Sequence, residues 1–163
     1  MKKCAILILA VLLMLSGCAA EETMETVSDV LDAPVMAQMR EISLVLPEEA
    51  ASPTVESDSE RVYLCEDYEI TVQILDGGNL DQTVKTLSGY ERDVLTVLST
   101  RKDDLDRHEF VWACAGEEGD LVGRAMILDD GCYHYCVCVL GEAEQAMENK
   151  VLWDDMFRSF TLA

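Results

Sequence analysis

Basic residues are scarce in this chain of 163: 12 lysines and arginines stand against 32 aspartates and glutamates, a net charge of −20. So acidic a surface repels nucleic-acid phosphates and anionic lipid headgroups, which removes nucleic acid as a partner. It could attract cations or a basic partner, although most such charge forms a solvated surface. A long hydrophobic run is also missing near the N-terminus. Ala5 to Leu15 is apolar for about 11 residues, and a helix that crosses a bilayer needs about 20. No Ser/His/Asp ordering, glycine-rich phosphate loop or zinc-protease motif occurs. No internal repeat is present either.

What the N-terminus does contain is specific. MKKCAILILAVLLMLSGCAA opens with Lys2 and Lys3, continues through the short apolar core and reaches Leu15-Ser16-Gly17-Cys18. A basic start and an apolar core of that length mark a secretory signal. Leu-Ser-Gly-Cys resembles the lipobox of bacterial lipoproteins. The resemblance implies cleavage before Cys18 and a diacylglyceryl group on its thiol. Two acyl chains anchor stably where one is marginal. The expectation is a protein held on the outer side of a membrane without spanning it. Ala19 follows the cysteine, so no aspartate is there to signal inner-membrane retention.

Three segments follow from this: 1–17 a lipoprotein signal peptide, 18–40 a lipidated N-terminus and acidic tether, 41–163 a single α+β domain. Cleavage removes Lys2 and Lys3 and no acids, leaving 10 basic and 32 acidic residues, a charge of −22. A flexible tether of about 20 residues reaches roughly 25 Å, enough to lift a domain off the bilayer. With Cys18 lipidated, Cys65, Cys114, Cys132, Cys136 and Cys138 remain. An odd count fits thiols that stay reduced better than a disulfide framework.

Patterning of the rest predicts about six or seven strands and two helices. In REISLVLP, Ile42, Leu44 and Leu46 alternate with more polar positions, the period of a strand with one buried face, and Pro47 ends it. Residues 48–60 read as an acidic loop. RVYLC (61–65) and YEITVQIL (68–75) form a hairpin around Glu66-Asp67. Asn79 caps a helix whose inward positions are Leu80, Val84 and Leu87, and Gly89 stops it. Residues 94–100, 107–115, 121–129 and 132–140 then form a meander. Between 142 and 162 an amphipathic helix is expected, interrupted near Asn149.

The densest chemistry lies in GCYHYCVCVL, residues 131–140. Taking Asp130-Gly131 as a two-residue turn pairs 127 with 134, 125 with 136 and 123 with 138. Taking 116–119 as the preceding loop pairs 114 with 121, 112 with 123, 110 with 125 and 108 with 127. Four rows emerge on one face: Trp112–Gly123–Cys138, Phe110–Ala125–Cys136, His108–Ile127–His134 and Cys114–Leu121–Leu140. Large aromatics lie across small residues, as a packed face requires. On the opposite face Glu109 and Arg124 sit diagonally, within reach of an ion pair. This reading makes Phe110, Trp112, Cys114, Gly123, Ala125, Cys136 and Cys138 structural core, the cysteine strand one edge of a packed mosaic, and His134 a rim residue.

Metal chemistry is the competing reading, with Cys132, His134, Cys136 and Cys138 as candidate ligands. Residues i and i+2 on a strand are about 6.6–7 Å apart, whereas sulfurs on one zinc lie about 3.8 Å apart. Neighbouring cysteines on one strand also point the wrong way for a disulfide. Asp103, Asp104, Asp106 and Glu109 cluster near the 102–107 turn but lack the spacing and glycine of a calcium loop. No metal, no cofactor and no catalytic residue is expected.

The ending WDDMFRSFTL (Trp153 to Leu162) resembles the tail of PsbP-like domains, a group that includes DcrB-like and mycobacterial lipoproteins. RHEFVWACAGEEGDLVGRAMILDDGCYHYCVCV resembles that group's central meander. The resemblance covers residues 41–162 as pattern and carries no site residues. It implies a PsbP-like sandwich: an antiparallel sheet flanked by helices. It also implies a non-enzymatic binding or accessory module, here of the cell envelope, whose partners are the membrane through the lipid anchor and an unidentified envelope protein. The alternative is a thiol-dependent metal-binding or redox lipoprotein using Cys132, Cys136 and Cys138.

Overall fold

A computed structural model of the chain describes residues 38–117 and 119–163. Cys18, the signal segment and nearly all of the tether lie outside the described residues. Within them the order is β1 (Ile42–Ser43), β2 (Val55–Glu56), β3 (Glu60–Leu64), β4 (Tyr68–Asp76), α1 (Leu80–Ser88), β5 (Leu98–Lys102), β6 (Leu105–Ala115), β7 (Asp120–Asp129), β8 (Tyr133–Glu142), α2 (Ala146–Ser159) and β9 (Thr161–Leu162). Seven strands make one antiparallel sheet in the order β2-β3-β4-β8-β7-β6-β5, and β1 pairs with β9 separately. Each helix covers one sheet face, which gives the expected α+β architecture.

Local chemistry sets the element ends. The Asn79 side chain accepts the Gln82 N–H at 3.1 Å and starts α1; the Gly89 N–H reaches the Lys85 carbonyl and ends it. Between β5 and β6 the chain turns on Asp103-Asp104, both with positive φ (52° and 63°). Such a two-residue hairpin needs positive φ at both positions, which aspartate tolerates better than most residues. That geometry accounts for two of the clustered acids.

Two cores form, one on each side of the sheet. Under α2, Ile70, Val72, Met126, Tyr135, Val137 and Val139 meet Trp153, Met156, Phe157 and Phe160. Under α1, Val84 meets Phe110, Trp112, Ala125, Ile127, Cys136 and Cys138. Arg124 lies on the α2 side, ion-paired to Asp154 and, at 3.5 Å, to Glu109, with its guanidinium 4.5 Å from the centre of the Phe157 ring.

The β6–β7 register is the one expected, with Cys114, Trp112, Phe110 and His108 opposite Leu121, Gly123, Ala125 and Ile127. The β7–β8 register differs by two residues: Gly123 faces Leu140, Ala125 faces Cys138, Ile127 faces Cys136 and Asp129 faces His134. The cause is the turn. Gly131 has φ 88° and sits first, not second, of the two central residues, Gly131-Cys132. The Asp130 carboxylate accepts the Cys132 and Tyr133 N–H groups at 2.9 and 2.8 Å and closes the turn from its preceding corner. A shift of two keeps every side chain on its face. His108 and His134 therefore do not share a row.

Four other expectations are corrected. Ile42 to Leu46 keeps its alternating burial, but only Ile42–Ser43 joins a ladder, because the Val45 N–H goes to Ser159 Oγ instead. The acidic loop contains β2, which the Thr54 N–H bond to the Val62 carbonyl supports. Residues 92–94 form a 3-10 turn, so β5 begins only at Leu98. Helix α2 runs without interruption past Asn149, whose N–H bonds the Gln145 carbonyl at 3.0 Å.

Candidate functional site

The cysteine strand, β8, is the central strand of the sheet and not an edge. Residues His134 to Val139 are all buried. Strands covered on both faces are apolar at every position, and that is why CVCVL does not alternate. His134, Cys136 and Cys138 face α1; Tyr135, Val137 and Val139 face α2. Cys132 stands apart, exposed at the turn. Cys114 packs half-buried at the edge of the α1-side core, and Gly123 is buried beneath Trp112.

His134 is not a rim residue: it is 1% exposed. Its Nδ1 lies 2.7 Å from Thr83 Oγ1 on α1 and its Nε2 lies 3.3 Å from Asp129 Oδ2 on β7. In the tautomer with the proton on Nε2, that nitrogen donates to Asp129 and Nδ1 accepts from the Thr83 hydroxyl. Hydroxyl, imidazole and carboxylate thus stand in the order of a nucleophile–base relay. Thr83 is only 4% exposed, however, and no substrate carbonyl can reach it there. What the array does is tie α1 to the β7–β8 hairpin. His108 is likewise occupied, with Ser99 Oγ 2.8 Å from its Nδ1, and burial lowers its pKa from the ordinary 6.5.

The thiols are closed in too. Burial pushes the Cys136 pKa well above its ordinary value, and the neighbouring Cys138 adds to the rise. Burial first, and then the Glu69 carboxylate, push Cys138 up to about 12. Since the thiolate is the nucleophile and the metal ligand, neither is activated. Among the described residues no group of three His, Cys, Asp or Glu side chains is gathered closely enough to hold a metal ion. The candidate ligands His134, Cys136 and Cys138 are strung along one strand with Cys132 in the turn before it, and both His134 nitrogens are engaged.

Near the α2 end of β4, burial raises the Cys65 pKa despite the adjacent Tyr68 hydroxyl. That hydroxyl donates to Glu49. Trp153 packs edge-on against Tyr68, with ring centres 5.7 Å apart. Sequence reasoning did not pick out Thr83, Tyr68 or Glu49. Thr83 carried a signal: it is polar at an inward position of α1, next to Val84, and such a group needs a partner.

An opening breaks the α1 face on its β4 side. The helix ends its cover at β8 while the sheet continues through β4 to β3, and the step leaves a cleft of about 300 Å³. Trp112, Leu140, Cys138 and Leu87 supply its apolar wall; Glu60 and Glu69 supply carboxylates. Trp112 reaches the cleft because its indole lies flat over Gly123, where a Cβ would come within 2.1 Å of the ring.

The described class is therefore an antiparallel α+β sheet with a helix on each face and a small cleft beside the shorter helix. No family model and no curated protein matches the chain. Solved structures similar to it include the cyanobacterial PsbP (CyanoP) of Synechocystis sp. PCC 6803, at 13% identity and TM-score 0.49 over 75% of this chain and 82% of that one. The Saccharomyces cerevisiae Ran-binding protein Mog1p is similar at 13% identity and TM-score 0.47, over 74% and 89%. A Bacteroides thetaiotaomicron protein is similar at 11% identity and TM-score 0.47, over 75% of this chain and 45% of that one.

Proposed function

We propose that the protein is a lipid-anchored module on the outer side of a bacterial cell membrane, and that it binds a target rather than transforming it. The single observation that carries the binding half is the contrast on the α1 face. There Thr83, His134 and Cys136 are sealed into the core, and the cleft beside them stays open. The lipobox-like Leu15-Ser16-Gly17-Cys18 supports the anchored half.

Two measurements test it. An alkyne-bearing fatty acid fed to expressing bacteria labels the wild-type chain in the membrane fraction, and Cys18→Ser abolishes both labelling and retention. Absence of label on the wild-type chain refutes the anchor. Crosslinking in intact envelopes then recovers a defined partner in preference to bulk envelope proteins. Recovery of bulk proteins alone refutes the accessory role.

A further inference from the structure

The cleft under α1 has a charge pattern that selects its occupant. Its two ionisable walls, Glu60 on β3 and Glu69 on β4, are both acidic, and no lysine or arginine lines it. Among the described residues neither carboxylate takes part in an ion pair. Glu69 accepts only the Thr71 hydroxyl, at 3.2 Å. The nearest cation along the chain, Arg61, is on the opposite face and paired to Glu56 at 3.3 Å. Opposite the acids stand an indole, a neutral thiol and two leucines, Leu87 and Leu140.

An anion would meet two carboxylates here, and a bare metal ion would meet too few oxygens and an apolar wall. A cation with an apolar body satisfies both sides: its charge meets the carboxylates, and its body meets Trp112 and the leucines. Trp is also the strongest aromatic partner for a cation. The volume lies at the lower end of small-molecule sites, roughly 300–1,000 Å³. We infer that the cleft bounded by Glu60, Glu69 and Trp112 is a binding site for a small organic ammonium compound with an apolar or aromatic body. The inference rests on the binding-module reading above and names its ligand class.

The geometry assigns each wall a task. Glu69 and Glu60 set the sign of the charge. Trp112 and Leu140 take the apolar body, and the hydroxyls of Thr71 and Thr86 can accept from ammonium protons. Cys138 stays a thiol and forms no bond to the ligand.

The test is calorimetric titration of the full chain, in nonionic detergent, with phenethylamine. Phenylacetate and phenethyl alcohol serve as controls that keep the ring and reverse or remove the charge. Saturable binding is expected for the amine, at least about tenfold tighter than for either control. Glu60→Gln/Glu69→Gln should weaken it by about tenfold or more, as loss of charged hydrogen-bond acceptors does. Trp112→Phe, which keeps a ring in the sheet, should weaken it several-fold, and Glu144→Gln, an exposed acid elsewhere, should leave it unchanged. Thermal melts confirm that each variant is folded. Absence of saturable heat at millimolar amine overturns the inference. Equal binding of phenylacetate, or undiminished binding by the double glutamine variant, does so too. Failure here, with Cys18 labelling and envelope crosslinking intact, removes the ligand class and leaves the anchored module standing; failure of those two with amine binding intact does the reverse.

Discussion

Gly123→Ala is the sharpest probe of how the α1-side core is built. A Cβ at this position would stand 2.1, 2.2 and 2.7 Å from Cε2, Cζ2 and Cδ2 of Trp112. Ordinary carbon contacts need about 3.5–4.0 Å, so the indole must move by more than an ångström. It is hemmed on one side by Phe110, whose ring centre is 5.6 Å away at a 33° tilt. Overpacking a core in this way typically costs about 1–3 kcal/mol, and three close ring contacts place Gly123→Ala at the upper end. Against this, alanine in a strand is favoured over glycine by roughly 0.5–1 kcal/mol. The assay is a double-mutant cycle in urea with Trp112→Val, which removes the ring and keeps strand propensity. Trp112→Ala would cost about 3–5 kcal/mol; valine should cost somewhat less. In the valine background Gly123→Ala should cease to destabilise and become neutral or stabilising, a coupling of about 2–3 kcal/mol. If the alanine costs the same in both backgrounds, the two residues do not collide and the steric account is refuted.

Other expectations follow from the same geometry. Thr83→Val should cost about 1–3 kcal/mol, since it leaves His134 Nδ1 buried without a donor; a denaturation midpoint unchanged from wild type would show that the α1 tie is idle. Site-mapped reaction with Ellman's reagent at pH 8 should modify Cys132 fastest in the folded protein, Cys138 at the cleft wall far more slowly, and Cys136 only after unfolding. Equal rates at all three would contradict the sealed core. Hydrogen bonds from Lys150 and Arg124 hold Asp154 at about 2, below its ordinary 3.8. A carboxylate lowered by folding adds stability that is complete above the unfolded value and disappears as pH falls through the folded one. Asp154→Asn should therefore destabilise at pH 7, and the gap to wild type should close near pH 2; a gap independent of pH would exclude the ion pair as its source.

Much of the fold was legible because certain residues act through their own backbone. Asn79 and Gly89 bound α1 by capping, and no tertiary contact is needed to see it. Trp112 over Gly123 followed from volume, one very large residue facing one with no side chain. Glu109 and Arg124 then had to sit on the other face, where they do pair. The hairpin of β3 and β4 announced itself by two apolar runs around Glu66-Asp67.

The β7–β8 turn shows where such reasoning stops. Asp130-Gly131 and Gly131-Cys132 are both acceptable two-residue turns, and the glycine can occupy either central position. Hydrophobic pattern cannot choose between registers that differ by two, because each keeps the same residues inward. The choice falls to the Asp130 carboxylate and its bonds to two backbone N–H groups, with the Tyr135 hydroxyl donating to its other oxygen at 3.0 Å. Once that register is set, Asp129 faces His134 and the buried imidazole acquires its acceptor. The same limit hid the place of β8 in the sheet. Its pairing with β4 joins segments some 65 residues apart, from Tyr68 with Gly141 to Asp76 with Tyr133, and no local turn records it. The signal that was present is the failure of alternation in CVCVL, since a strand apolar at successive positions must be covered on both sides. Central placement follows from that, and with it the cleft, because β4 extends the sheet past the reach of α1.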